Sequence, residues 1–340
     1  MNNSNDLPGI AAIDRALAAD PRNVRALIAK ADHFAAAGDS RSASAFYLAA
    51  LRAAPPADKI PPDLLPELRR AQETCARHAR EYKDYLRTRL VDRGFDARTQ
   101  GRFAQALDIV FGEKRIYVQE PRYFYFPGLP NIQFYEREAF PWMDDVEAET
   151  DAIRAELLEV MRSPGAFSPY VTGDPNRPRK EEKGMLNNPD WSAFYFWKSG
   201  EPVTENLERC PSVMRALRNA PLARVPNRSP VVLFSLLKPG THIPPHNGLV
   251  NTRLICHLPL VVPPGCRFRV GNETREWVTG KAWAFDDSID HEAWNDSDQT
   301  RVILLFDVWR PELTLVEREL VTELFAAIDA HTGTKPDWDN

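Results

Sequence analysis

Apolar positions near the start of the chain recur every three or four residues, and most are alanine. The segment "NVRALIAKADHFAAAGDSRSASAFYLAALRAAPP" predicts a helix, a turn at Gly38-Asp39, a second helix and a stop at Pro55. Small Ala31, Ala43 and Ala50 alternate with Leu27, Phe34, Phe46 and Tyr47, which lets two helices approach closely and interlock. Helical periods continue through "PELRRAQETCARHAREYKDYLRTRLVDRGF" and "GRFAQALDIVFGEKRIY". The aromatic, proline-rich "FYFPGLPNIQFYEREAFPW" then predicts an extended connection, and "WMDDVEAETDAIRAELLEVMRS" a further helix. Residues 163–190, with "GDPNRPRKEEKG", are polar and read as a solvated loop or a lid over a substrate. From residue 230 the pattern changes to short β-branched or aromatic runs: "PVVLFSLL", "TRLICHLPLVV", "CRFRV", "TREWV", "KAWAFDD" and "RVILLFDVW". The turn sequences "KPG", "PPG", "GNE" and "VTG" separate them, a texture that predicts a β-sandwich or barrel of the jelly-roll kind.

The first hairpin resembles a tetratricopeptide repeat, a helix-turn-helix with a period of about 34 residues. An earlier half-repeat stands in "AAIDRALAADPRN", and a plain helical hairpin is the alternative. Fewer than three repeats cannot form a stable solenoid alone, so this region is expected to dock on the rest of the chain. The predicted class is α+β, with a helical, tetratricopeptide-like region at 1–120 and a β-rich domain with flanking helices at 121–330.

Composition narrows the function classes. At 43% hydrophobic and 27% charged residues, the 340-residue chain is ordinary for a globular protein. A formal charge of −5 offers no basic footprint for nucleic acid. The N-terminus lacks the basic-then-apolar order of a signal peptide, and no run of about 18 apolar residues predicts a membrane span. Cys75, Cys210, Cys256 and Cys266 are scattered with no C-x-x-C pair, which suits free thiols in a reducing, cytoplasmic setting.

Four of the seven histidines, His242, His246, His257 and His291, fall in the β region. A lone strand histidine is more often structural, and His242 or His257 taken singly would be read so. His246 lies in "HIPPHNG", taken as a loop stiffened by two prolines. A non-haem iron signature would place a carboxylate two residues after that ligand, where Gly248 has no side chain. Forty-four residues separate His246 from His291, a spacing similar to that of the first and last metal ligands of double-stranded β-helix oxygenases that use iron and 2-oxoglutarate. Arg301 opens the strand "RVILLFDVW" ten residues later, and pointing inward it could hold a dicarboxylate by a bidentate fork.

The pieces "WSAFYFWKSGE", "LFSLLKPGTHIPPHNG", "TRLICHLPL", "GNETREWVTGKAWAFDDSIDHEAWN" and "RVILLFDVWRPEL", in that order, resemble the aspartyl/asparaginyl β-hydroxylase family of 2-oxoglutarate oxygenases. The resemblance covers roughly half the chain. It implies a double-stranded β-helix, cupin-like, bearing Fe(II) on His246 and His291 with no carboxylate ligand, and 2-oxoglutarate and O2 as cosubstrates. It further implies Arg301 and Ser235 at the distal carboxylate of 2-oxoglutarate, His257 near the cosubstrate, and Trp191 and Arg253 around the pocket, Arg253 on the substrate. Asp286 and Asp287 are expected as turn residues supporting the ligands. The implied activity is hydroxylation of the β-carbon of an aspartyl or asparaginyl unit in a peptide, protein or small molecule, with no catalytic side chain beyond the metal centre. The helical region would then offer a peptide contact. Departures stand at Ile255, where the family pattern has a second arginine, and at Ala193, where it has glutamine. Other readings are a non-catalytic cupin-like binding module with a repeat adaptor, and a halogenase that uses the position opened by Gly248.

Overall fold

The computed structural model describes residues 9–173 and 184–332. These form two compact units that divide between Lys114 and Arg115. The first is all-helical: α1 (Ile10–Ala19), α2 (Val24–Ala36), α3 (Ser40–Ala53), α4 (Leu65–Val91) and α5 (Gly101–Val110). Asn23 and Asp39 cap α2 and α3 by accepting the amides of Ala26 and Ser42, so the helices begin where the sequence places polar caps. Ala31, Ala43 and Ala50 are fully buried with Leu27, Ile28 and Tyr47, giving the close interlock their small size predicts. The Tyr47 hydroxyl donates to Asp32, and Arg70 of α4 makes a two-nitrogen contact with the same carboxylate, joining α2, α3 and α4. Helix α5 stops at Val110 instead of running on to Tyr117, because Gly112 takes up a left-handed backbone (φ +71°) that ends it.

The second unit begins with an extended chain whose aromatic residues add bridges to the β structure at Phe124–Val250 and Phe134–Phe285. The single helix expected after Trp142 is two, α6 (Met143–Ala148) and α7 (Thr150–Met161). The Thr150 hydroxyl donates to the Glu147 carbonyl at the break, satisfying an acceptor the interrupted helix leaves over. Of the polar 163–190 segment, residues 174–183 lie outside the described residues. The strands and remaining helices continue as β1 (Ser168–Pro169), β2 (Trp191–Lys198), β3 (Glu201–Pro202), α8 (Thr204–Arg209), α9 (Pro211–Leu217), β4 (Val232–Leu237), β5 (Thr241–His246), β6 (Arg253–Val261), β7 (Cys266–Val270), β8 (Glu273–Glu276), β9 (Trp283–Phe285), β10 (His291–Asn295), β11 (Arg301–Trp309) and α10 (Leu315–Thr332).

Two antiparallel sheets carry the strand orders β1-β2-β4-β11-β6-β9, with β3 on β2, and β5-β10-β7-β8. This is a double-stranded β-helix, and the fold class read from the sequence holds. Two details differ. β2 precedes the change of texture at residue 230, and "THIPPH" is a strand where a loop was expected. β5 lies at a sheet edge, where Pro244 and Pro245 need donate no ladder hydrogen bond.

Strand alternation sorts the side chains of the large sheet. Leu254, Cys256, Leu258 and Leu260 of β6, with Val302, Leu304, Phe306 and Val308 of β11, pack into the core shared with Ile153 and Leu157 of α7. The alternate residues Arg253, Ile255 and His257, with Arg301, Ile303 and Leu305, line a cavity on the other face. The same 2.0-residue period therefore builds the core and aims the candidate chemistry. Among the described residues no helix is long and apolar enough to cross a membrane, and all four cysteines are free thiols.

The helical unit supplies a first test. Ala43→Leu forces a larger side chain into the α2–α3 contact, and overpacking of this kind costs about 1–3 kcal/mol. Urea unfolding followed by helical circular dichroism should show earlier loss of the helical signal. An unchanged midpoint would mean that the two helices tolerate wider spacing.

Candidate metal centre

His246 ends β5 and His291 opens β10, and the antiparallel register sets them directly opposite one another. Their ring centroids are 4.1 Å apart. Each Nδ1 lies against the carbonyl two residues upstream, at 2.9 Å from Pro244 O for His246 and 3.0 Å from Ile289 O for His291. A carbonyl only accepts, so both Nδ1 atoms carry the proton and both Nε2 atoms carry the lone pair. Burial, then the neighbouring His246, holds the His291 imidazole well below its ordinary pKa, so it is neutral. Two imidazoles with preset tautomers on facing strands are a fitting donor pair for a divalent transition metal. Among the described residues no third His, Cys, Asp or Glu joins them.

Gly248 explains why. A Cβ built there would lie 2.1 Å from Asp287 Oδ2 and 2.4 Å from its Cγ. The glycine is required by this approach and not by an unusual backbone, since its φ is outside the left-handed region. Asp287 is buried, one carboxylate oxygen has no hydrogen-bond partner, and the other is 3.7 Å from Arg253 Nη2. Burial pushes its carboxyl up to about 7 against the pull of Arg253. Asp286 faces elsewhere: it accepts from Gln119 Nε2 at 2.6 Å, Arg310 Nη1 at 2.8 Å and the Ser288 amide at 3.0 Å. The fully buried pair of Asp286 and Arg310 fixes the turn leading into His291, a role for Arg310 that nothing in "DVWRPEL" announces.

His246 and His291 open onto a cavity of about 380 Å3 that also takes in Trp191, Ser235, Arg253, His257 and Arg301. All seven residues singled out in the sequence thus meet in one place. His242 does not: its ring stacks on Trp294, its Nε2 lies 2.8 Å from Glu292, and its side chain is 43% exposed.

Arg301 is 1% exposed. Its Nη1 donates to the Ser235 carbonyl at 3.2 Å and lies 3.5 Å from the hydroxyl, its guanidinium rests over Trp277, and its Nε has no partner. No carboxylate of the described residues comes within 4.0 Å of it. Burial accordingly pulls its pKa down to about 10. Trp191 Nε1 donates to the Ser235 hydroxyl at 3.3 Å. Trp277 Nε1 donates to His257 Nδ1 at 3.3 Å, which leaves the Nε2–H of His257 as a donor, and burial beside Arg301 keeps that ring neutral. Trp277 was not foreseen, because an indole in "TREWV" gives no sign of facing two cavity residues. Arg253, by contrast, already pairs with buried Asp307 at 2.5 Å.

The strand order and the facing histidines define a cupin-type double-stranded β-helix with a two-histidine candidate metal centre. Residues 147–311 match the sequence model of the Aspartyl/Asparaginyl beta-hydroxylase family. Three relatives illustrate its range. The human aspartyl/asparaginyl beta-hydroxylase is 37% identical over 175 residues, 51% of this chain and 22% of that protein. The ornithine lipid ester-linked acyl 2-hydroxylase of Rhizobium tropici is 33% identical over 186 residues, 54% of this chain and 62% of its own length. The human aspartate beta-hydroxylase domain-containing protein 2 is 31% identical over 232 residues, 67% of this chain and 59% of its own length. The chain thus spans less than two thirds of each of them.

Two measurements probe the contact between Gly248 and Asp287. Gly248→Ala must displace a buried carboxylate, so stability should fall by about 1–3 kcal/mol, and Asp287→Ala in the same chain should restore most of it. Additive losses in the double variant would refute the contact. The raised carboxyl of Asp287 also makes folding favour its protonated form, so this stabilisation is complete near pH 4 and is lost as pH rises through about 7. Asp287→Asn should therefore flatten the decline in stability of the metal-free protein between those values.

Proposed function

We propose that this chain is an Fe(II)- and 2-oxoglutarate-dependent hydroxylase of an unactivated C–H bond. The observation that carries the reading is Arg301, a buried cation facing the cavity with no anionic partner among the described residues. Burying an unpaired charge is costly, and the cost is offset when an anion binds. A dicarboxylic 2-oxo acid suits the arrangement, with one end at Arg301 and the other toward the paired histidines.

His246 and His291 would hold the metal through Nε2, and two protein ligands leave the remaining positions to the cosubstrate, O2 and water. With O2, iron(II) and 2-oxoglutarate together supply hydroxylating power: one oxygen atom enters succinate, CO2 leaves, and the other atom becomes the product hydroxyl. The protein's part is positional. Arg301, with the hydroxyl of Ser235, would receive the distal carboxylate, and the Trp191 indole donates to that hydroxyl. His257 presents a neutral N–H donor beside it, and Phe268, Phe285 and Ile303 form apolar walls that exclude water. A binding module without turnover would leave both the preset imidazole tautomers and the unpaired Arg301 without a purpose.

The reading extends to substrate: the β-carbon of an aspartyl or asparaginyl unit, the unit named for the human relative, in a peptide, a protein or a small molecule. Arg253 adjoins the place such a unit would take. The helical unit, built of close-packed antiparallel pairs, would offer an extended peptide a contact. Free thiols suit a cytoplasmic setting.

Metal analysis and succinate release test the proposal together. The protein should take up one iron per chain and convert 2-oxoglutarate to succinate. His246→Ala and His291→Ala should lose both properties while keeping the parent's circular dichroism. His242→Ala should keep both, since its ring lies off the cavity. Loss of metal in His242→Ala equal to that in His246→Ala would overturn the ligand assignment.

A further inference from the structure

Among the described residues, the part of the cavity around Arg253 is short of usable positive charge. Arg301 is committed to the cosubstrate under the proposed function, on which this inference rests. Arg253 is bracketed by two carboxylates, Asp307 at 2.5 Å and Asp287 at 3.7 Å, so one buried cation faces two buried anions. Arg122 lines the cavity and acts on Asp287, but it is exposed, so water and salt weaken its field. The wall between these charges is apolar. Ile255 faces inward between Arg253 and His257, in register with Asp307 on one side and Phe285 on the other. Val231, Leu305 and Met185 continue that surface. Asp287 adds a buried carboxylate oxygen with no hydrogen-bond partner among the described residues. A buried acceptor in that condition calls for a donor.

We infer that the reacting unit is an uncharged, donor-bearing carboxamide, so that the chain hydroxylates an asparaginyl unit in preference to an aspartyl one. Asp287 and Arg253 both line the cavity, and a carboxamide set between them can donate its NH2 to the carboxylate while its carbonyl accepts from the guanidinium. A carboxylate in the same place would stand against Asp287 and Asp307 with only one buried cation between them. Like charges brought together in a desolvated site are strongly disfavoured. The difference lies in one substrate group, so a polar site of this kind can discriminate sharply.

The test uses the full chain with iron(II), ascorbate and 2-oxoglutarate at pH 8, where Asp287 is ionised. Probes are N-acetyl asparagine amide and N-acetyl aspartic acid amide, and a set of ten-residue peptides made in matched asparagine and aspartate versions. Product is read as a gain of one oxygen by mass, and succinate is measured in parallel. The asparagine members should be hydroxylated at least tenfold faster than their aspartate partners. Ile255→Arg adds a cation to the apolar wall and should shrink that ratio at least tenfold. Should this variant fail to fold, Asp287→Asn, which replaces an acceptor with a donor, should move the ratio the same way. Equal or faster use of the aspartate members overturns the inference, as does succinate formation with no asparagine member hydroxylated. Neither result touches the proposed cosubstrate chemistry. Absence of any succinate from 2-oxoglutarate, with or without a probe, would instead overturn the functional reading itself.

Discussion

A guanidinium buried with no carboxylate beside it among the described residues is the constraint around which the second unit is arranged. Arg301 opens β11, a central strand of the large sheet, and its partners among the described residues are neutral: the Ser235 carbonyl and hydroxyl, and the Trp277 ring. The other buried arginines differ. Arg310 meets Asp286, Arg253 meets Asp307, and Arg228 meets Asp329, each through a direct ion pair. Those pairs hold loops and strands together. Among the described residues Arg301 meets nothing of opposite charge, and burying a cation in that state is costly.

The two-histidine centre depends on a different feature, the pairing of β5 with β10. Cross-strand register brings His246 opposite His291, and the two local carbonyls set both tautomers before any metal arrives. Gly248 and Asp287 complete the device. The space a ligand side chain would need at position 248 is filled by the Asp287 carboxylate, so the absence of a third ligand is built into the packing. Under the proposed function the same carboxylate would shape what binds beside the metal.

Much of this was legible in the sequence because it rests on local signals. The 3.6-residue period and its small residues gave the helical hairpin, and β-branched runs between turns gave the jelly roll. The ordered motifs named the seven cavity residues through the family resemblance they carry. Other features depended on distant partners and left no local trace. "THIPPH" reads as a loop until β10 is available to pair with it, because proline argues against a strand everywhere except at an edge. The end of α5 at Val110 depends on the backbone of Gly112, and the break at Thr150 on one hydroxyl. The commitment of Arg253 to Asp307 joins residues 54 positions apart, and nothing near either one announces it.

The claim that Arg301 is an anion receptor for the cosubstrate is tested most directly by calorimetric titration of 2-oxoglutarate into the Mn(II)-loaded protein without O2. Arg301→Ala should retain the metal and weaken 2-oxoglutarate by several kcal/mol, in the range of a severed buried charge pair, and Arg301→Lys should recover only part of the loss because it lacks the fork. Unchanged 2-oxoglutarate affinity in Arg301→Ala, with metal bound, would contradict the account.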